Sequence, residues 1–514
     1  MPADRVDVVI AGGGPNGLMV ACELALAGIR PVVLERLPES STEPKANGLI
    51  GQVIRTLDLR GLYHELAGSA GPPRPMYEWM FSGMRVRFAG LEDNPMFGLP
   101  IPQPRLLRRL NERAHRLGVQ VRWGHELTGV VAGTDGVGLT VAGPDGSYHL
   151  DTVYLVGADG GRSQVRKSVG IEFPGTTSAT VTRMAHVYLP DDLRAGDGTL
   201  DIPGFGRLPF GHNRLENGGA FFAEMEPGRP LIATMEFGTA NTDEPMTLHE
   251  MRESLKRVLG VDVPIGPPRG PGPHALRRID GQNTRQAERY RAGNVFLVGD
   301  SAHVHSAMGG PGLNLGLQDA MNLGWKLAAQ VNGWAPAGLL DTYQSERYPV
   351  GERVMMHSLS QTALMAPGPE TSALRRLFAE LLQIPAATAH IAQLLAGSDV
   401  TYDVGDDHPL SGRFVPDLTL DDGRRVAELL HDARPVLLDV SGGLLADAAS
   451  AWPRVDVVVA TVPDYPVLGL LIRPDGYVAW AADEFGQDDE RRLRAALRRW
   501  FGTEDAADAA ALSA

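Results

Sequence analysis

The chain opens with an apolar run, Val6-Asp7-Val8-Val9-Ile10, in which four of five positions are apolar, the pattern of a parallel strand buried on both faces. A glycine-rich turn follows, and residues 18–27 then read as a helix. A second apolar run over 31–34 ends in Glu35. A helix is predicted over 52–66, and Gly71-Pro72-Pro73-Arg74-Pro75 breaks it. Residues 77–88 read as strand, with alternation from Met84 to Phe88, and a helix rich in Arg and Leu is predicted over 105–117. Short strands are predicted over 119–123, 127–132, 138–142 and 147–150, with Gly143-Pro144-Asp145-Gly146 as a hairpin turn. A buried strand from Val153 ends in Asp159-Gly160. Residues 177–278 read as sheet with one helix over 247–259, a composition suited to one wall of a substrate cavity. A third strand, starting at Asn294, runs into Gly299-Asp300, followed by a glycine-rich loop from Met308 to Asn314 and a long helix over 315–330. Helices continue to about residue 396, punctuated by Pro336, Pro349, Pro367 and Pro369. From about residue 403 the pattern changes. Strands over 434–439, 455–462, 468–473 and 477–481 alternate with helices over 426–430 and 488–500, which predicts a small separate α/β unit.

The first turn carries the first candidate chemistry. Gly12, Gly14 and Gly17 form G-x-G-x-x-G, enclosing Pro15 and Asn16. Gly12 permits the tight turn, Gly14 lets a pyrophosphate approach the backbone, and Gly17 lets helix and strand pack closely. The helix N-terminus then offers free N–H groups to phosphate. Glu35, followed by Arg36, sits about 20 residues on, where a carboxylate accepts from a ribose. An acid there disfavours a 2′-phosphate, so FAD or NAD is expected at this site.

Composition narrows the function classes. A chain of 514 residues with 43% hydrophobic content is long enough for two or three domains. A net charge of −14 and a sequence pI near 5.5 argue against nucleic acid or an anionic membrane as partner. The single cysteine, Cys22, excludes an intrachain disulfide, a CxxC pair and a cysteine-based metal site, and it is expected in the core. No signal peptide or transmembrane helix is predicted, so a cytoplasmic location is expected. His303 and His305 alternate at a strand end, but no third clustered ligand follows; no metal is expected, and His303 is expected to make structural hydrogen bonds.

Three strand ends, GGGPNG, GADGGRSQVRK and GDSAHVHSAMGGPGLNLGLQDAMNLGWKL, resemble the fingerprints of the class A FAD-dependent aromatic hydroxylases, the para-hydroxybenzoate hydroxylase fold. The resemblance covers nearly the whole chain. VLLDVSGG and IRPDGYVAW resemble the thioredoxin-like appendix of the larger members, among them the hydroxylases of aromatic polyketides such as angucyclines. The implied fold is α/β: a Rossmann-like FAD-binding domain over 1–75, 101–176 and 280–398 with a helical extension, a β-sheet substrate domain over 76–100 and 177–279, and a thioredoxin-like domain without CxxC over 399–514. That last unit is expected to be structural or to serve in dimerisation, which leaves a homodimer open.

The resemblance also implies site residues. Asp300 faces the ribityl chain, and the backbone amides of the Gly309 to Asn314 loop, in which Pro311, Gly312, Leu313 and Asn314 lie at the cofactor, are offered to pyrophosphate or to the ring carbonyls. Lys45 stands where an Arg usually gates the mobile flavin, and Gln103 matches a Gln beside the ring. Asp159 matches the acid linked to FAD and pyridine nucleotide. Arg162 and Arg166 read equally as NAD(P)H phosphate contacts or as helix-surface charges. Two departures stand out: Ala307 replaces a common proline in the loop along the flavin, and Lys45 lacks the bidentate geometry of Arg. The implied activity is an NAD(P)H-consuming monooxygenase that uses O2, through a flavin C4a-hydroperoxide, to hydroxylate a polycyclic aromatic substrate. Baeyer–Villiger insertion and, further off, an NAD-dependent dehydrogenase are the alternatives. Trp79, Phe81, Phe88, Phe97, Phe221, Phe222 and Phe237 are candidates for cavity lining or for core packing.

Overall fold

The computed structural model describes residues 5–504 apart from 44, 70, 239–243, 307 and 464. Its first sheet is parallel through five strands, in the order Val295–Leu297, Gly146–Gly157, Val6–Ala11, Val32–Glu35 and Gln120–Trp123. Val8, Val9 and Ile10 are wholly buried, as a near-continuous apolar run requires when both faces are covered. The helix Pro15–Leu26 lies along the helix Pro311–Val331 and also packs on Gln103–Arg116. In Gln103–Arg116 the buried residues Leu106, Leu107, Leu110 and Ala114 recur at helical spacing and leave the arginines outside. Cys22 is buried in this layer, and burial pushes its thiol up to about 12, which makes it inert.

A second sheet is antiparallel, in the order Gly211–Leu215, Gly218–Ala223, Leu231–Phe237, Thr180–His186 and Leu276–Asp280. The helix Leu248–Leu259 covers one face. Thr234 and Glu236 both hydrogen-bond Ser254 of that helix, so every second residue of Leu231–Phe237 points to it. Residues 231, 233, 235 and 237 therefore face the other way.

Several elements differ from their sequence pattern, each for a physical reason. The helix expected over 52–66 divides into Gln52–Asp58 and Leu62–Ala67, and the turn between them sends Arg60 inward to pair with Glu23. Residues 77–88 form a hairpin, Glu78–Phe81 and Met84–Arg87. The strands expected over 147–150 and from 153 are one strand of 12 residues, which pairs with Val137–Gly143 at its start and with Val6–Ala11 at its end. Pro349 does not interrupt the helix Asp341–Met365. It lies on the exposed side, as does Ser345, so the carbonyl that loses its partner faces water. Residues 426–430 are a short 3-10 turn.

Near the C-terminus, Val436–Asp439 pairs in parallel with Asp456–Val459 and antiparallel with Gly469–Ile472, which pairs antiparallel with Val478–Ala482; the helix Gln487–Phe501 follows. This order and these directions are those of a thioredoxin-like unit, and it contains no cysteine. It is bound to the long helices by a buried ionic cluster. Arg473 pairs bidentately with Glu346 at 2.6 and 2.8 Å and also holds Asp475; Lys326 meets Glu346 at 2.7 Å. Asn322 donates to both Glu346 and Asp475, and the Arg473 guanidinium lies 4.5 Å from the ring centre of Trp500. Two cations thus face two anions in a buried, largely aromatic shell. Burial alone would raise the Glu346 carboxyl, but Arg473 and then Lys326 outweigh it and hold it near 2. Glu346→Gln leaves two buried cations with one anion, and chemical denaturation should show a loss of about 3–5 kcal/mol. Glu112→Gln, at an exposed pair with Arg109, should change stability by less than about 1 kcal/mol.

Candidate active site

The turn after the first strand is shaped by what its glycines exclude. Gly12 has φ +112°, and a side chain there would strike the Ala158 carbonyl. A side chain at Gly17 would run into the Gly12 carbonyl oxygen. At Gly14 a Cβ would meet nothing within 4 Å, so the outer side of the turn is open. Pro15 begins the helix, where a missing N–H costs nothing. Glu35 accepts from the Gly13 N–H at 2.7 Å and from the Leu37 N–H at 2.9 Å, one with each carboxylate oxygen, and each oxygen keeps a further lone pair. Arg36 beside it is exposed.

The third strand end is brought against this turn. The Asn16 side chain fills a notch between Gly299 and Gly316, both of which would clash with it if they carried a Cβ, and its Oδ1 is buried without a partner among the described residues. Asp300 follows Gly299 and is exposed. Beneath it Asp319 is completely buried. Its Oδ1 accepts from Arg347 at 2.7 Å, and its Oδ2 lies 2.6 Å from His303 Nε2 and 3.3 Å from the Gly299 N–H. Burial would raise this carboxyl; Arg347 and His303 outweigh it and hold it below the usual range. His303 thus has the structural bond expected of it.

The long helix begins at Pro311, not Leu315, so the glycine-rich loop supplies its first turn. Pro311 and Asn314 are buried, Gly312 and Leu313 partly so. Asn314 donates to the Gly310 carbonyl and accepts from the Ile50 N–H, which ties this helix end to the strand Gly48–Ile50. His305 donates its Nδ1–H to the Ser306 carbonyl at 3.0 Å, and burial lowers its pKa, so its other nitrogen, beside Gly312, is an acceptor. Ala307 lies outside the described residues.

The remaining expected residues divide. Gln103 opens its helix, partly buried, and its N–H donates to the Ala46 carbonyl, next to Lys45. Lys45 is exposed and pairs with Glu43 at 3.1 Å; its carbonyl accepts from Arg277 of the second sheet. Asp159 is committed locally. It accepts from the Ser163 hydroxyl and from the N–H groups of Gln164 and Val165, capping the helix Gln164–Ser168. Arg166 is turned inward, donating to the Ser301 and Gly161 carbonyls and lying 3.7 Å from the Phe173 ring centre, while Arg162 is exposed.

Facing this cluster is the uncovered side of the second sheet. The register places Phe221 opposite Ala233, Gly219 opposite Met235, and His212 opposite Phe221, all on the face turned from the covering helix. Phe237 shares that face, whereas Phe222 packs under the helix Leu248–Leu259 and Phe81 and Phe88 pack in a separate core with Trp79 at its border. Phe97 borders the core of the first sheet. Met235, Met308 and Met365 meet in one cluster, joining the sheet to the loop that leads into Pro311.

An open glycine turn, a ribose-level acid, an exposed Asp300 and a second helix N-terminus on the same side fit a dinucleotide whose far end is a flat ring system. A family model described as an FAD binding domain matches residues 5–358, and one described as the C-terminal part of aromatic-ring hydroxylases matches residues 408–503. The chain is a member of the FAD-dependent aromatic-ring hydroxylases. This flavoenzyme is 40% identical, over 97% of its length and 99% of the relative's, to the 12-dehydrotetracycline 5-monooxygenase/anhydrotetracycline 6-monooxygenase of Streptomyces rimosus. Its structure is similar to OxyS, the anhydrotetracycline hydroxylase from Streptomyces rimosus, with TM-score 0.86 and 39% identity over 98% of this chain and 100% of that one. It is similar as well to CabE, an aromatic hydroxylase from angucycline biosynthesis, with TM-score 0.85 and 35% identity over 98% and 100%. The hydroxylase is an FAD-dependent monooxygenase.

Met308, His305 and Asp319 were visible in the third motif, but nothing local marks them as neighbours of the sheet face or of Gly299. Gly17→Ala forces apart the helix and the strand end that hold the phosphate turn. The purified variant should lose bound FAD, read from absorbance at visible wavelengths, while Gly14→Ala, which meets no protein atom, keeps the fold by circular dichroism.

Proposed function

We propose that this monooxygenase hydroxylates an electron-rich ring of a polycyclic aromatic substrate at the expense of NAD(P)H. The observation that carries this reading is the sheet register, which sets Phe221 and Met235 on a soft, apolar face against Met308, three residues before the helix N-terminus at Pro311. Thioether and aromatic surfaces take flat ring systems of varied outline. FAD, when bound, supplies the activation of O2 and delivery of one oxygen atom to the ring; the other leaves as water, with two electrons from NAD(P)H.

The chain's own residues bind, orient and exclude water. In this reading Gly12, Gly14, Pro15, Asn16, Gly17 and the first helix turn hold the pyrophosphate, Glu35 with Arg36 the ribose, and Asp300 the ribityl chain. The N–H groups of Gly312, Leu313 and Asn314 meet the ring carbonyls, with Pro311 opening the turn that presents them, and Gln103 stands beside the ring. Asp159 acts by fixing the turn next to Gly12. Lys45 gates the ring: among the described residues its side chain pairs with an exposed carboxylate, so the segment is cheaply displaced, and Arg277 links it to the substrate sheet. The division into FAD-binding, substrate and thioredoxin-like domains at about 75, 100, 176, 280 and 399 belongs to the same reading, as do a cytoplasmic location and a homodimer. Among the described residues no helix is long and apolar enough to cross a membrane.

The test is NAD(P)H oxidation by the holoenzyme with a panel of polycyclic phenols under 18O2. The expected result is ligand-stimulated oxidation and a product carrying one 18O on a ring carbon. Label in a ring-expanded lactone would move the reaction to Baeyer–Villiger insertion, and NAD(P)H oxidation with hydrogen peroxide as sole product would sink the monooxygenase substrate class. Lys45→Ala should keep FAD and slow its reduction by NAD(P)H, measured anaerobically by stopped flow.

A further inference from the structure

On the uncovered sheet face the polar side chains are nearly all accounted for. Thr182 accepts from Gln282, and His186 Nδ1 accepts from the Ala275 N–H. Arg214 donates to the Ala366 and Gly368 carbonyls. Across from the face, Ser82, Gln361 and His357 bond to one another. His212 differs. Its ring lies 4.7 Å from that of Phe221, centre to centre, and its nitrogens have no hydrogen-bond partner among the described residues. The residue is only partly buried, unlike the sealed orphan atoms elsewhere in the chain. Burial pushes its pKa down to about 4, which leaves one nitrogen an acceptor and the other a donor at neutral pH.

The position is adjacent to the methionine cluster. Gly219, two residues along and the next on the same face as Phe221, would place a Cβ 3.1 Å from Met365 Cε and 3.5 Å from Met235. Gly83 of the hairpin closes over the His212 backbone. A flat ligand lying on Phe221 and Met235 would therefore present its edge to His212. An unpartnered imidazole in an apolar wall favours a ligand that carries a hydroxyl there over one that does not.

We propose that His212 is a substrate-contacting, specificity-determining residue, whose ring nitrogen hydrogen-bonds an edge hydroxyl of the polycyclic substrate. This rests on the substrate class argued above. Thr182, His186 and Arg214 each bond to protein groups, whereas neither nitrogen of His212 does among the described residues, and on that difference the hydroxyl is assigned to His212.

The test uses oxidised holoenzyme and two probes, a dihydroxyanthrone and its O-methyl ether, with binding read from perturbation of the flavin spectrum. Wild type should bind the phenol more tightly than the ether. His212→Phe should weaken the phenol on the order of tenfold and leave the ether within about twofold, which erases the preference. His212→Asn, which restores an acceptor and a donor, should recover part of it. An equal loss for both probes, or an unchanged preference in His212→Phe with full FAD content, would overturn the assignment while leaving the substrate class standing. Failure of wild type to bind either probe would overturn both.

Discussion

A carboxylate sealed from water is costly unless it is paired and hydrogen-bonded, and Asp319 is held on those terms. It takes Arg347 on one oxygen and His303 with the Gly299 N–H on the other. Arg347 in turn reaches the Tyr402 hydroxyl and the Leu315 carbonyl. The turn that presents Asp300, the first turn of the helix from Pro311, the helix Asp341–Met365 and the segment entering the C-terminal unit therefore share one ion. The cofactor face is rigid because displacing any one of them would strand a buried charge.

Much of the dinucleotide scaffold was legible in the sequence because its requirements are local. Gly12 and Gly17 are dictated by carbonyl oxygens within the same strand–turn–helix unit or one strand away, and buried parallel strands write themselves as apolar runs. What was illegible is long-range. Arg166 has the residue type of a ligand contact, and its clamp on the Ser301 carbonyl, 135 residues away, is set by tertiary packing that no local pattern reveals. The register that puts Phe221 outward and Phe222 inward is set by pairing between strands and by Ser254 on a later helix. The partners Arg473 and Glu346 are 127 residues apart, so no pattern of either segment reveals the pair.

The substrate face and the cofactor face are built from opposite materials. The cofactor side is fixed backbone, glycine contacts and satisfied ions, whereas the substrate side is methionine, phenylalanine and a histidine without a partner among the described residues. Hard geometry suits a group whose position sets the chemistry. Soft side chains suit ligands whose outlines vary while one edge stays polar.

Arg60 has a consequence for how the chain comes to be folded. It pairs with Glu23 inside the first domain's core, but its remaining donors find the carbonyls of Leu430 and Pro474, which are 370 and 414 residues later. During synthesis the ribosome releases the first strand–helix unit long before those carbonyls exist. Until then the donors that later meet those two carbonyls turn to water, so the N-terminal core stays open at that corner. The C-terminal unit thus acts as a final latch, and a ribosome stalled before residue 474 would hold a nascent chain whose cofactor fold is written out but not yet closed.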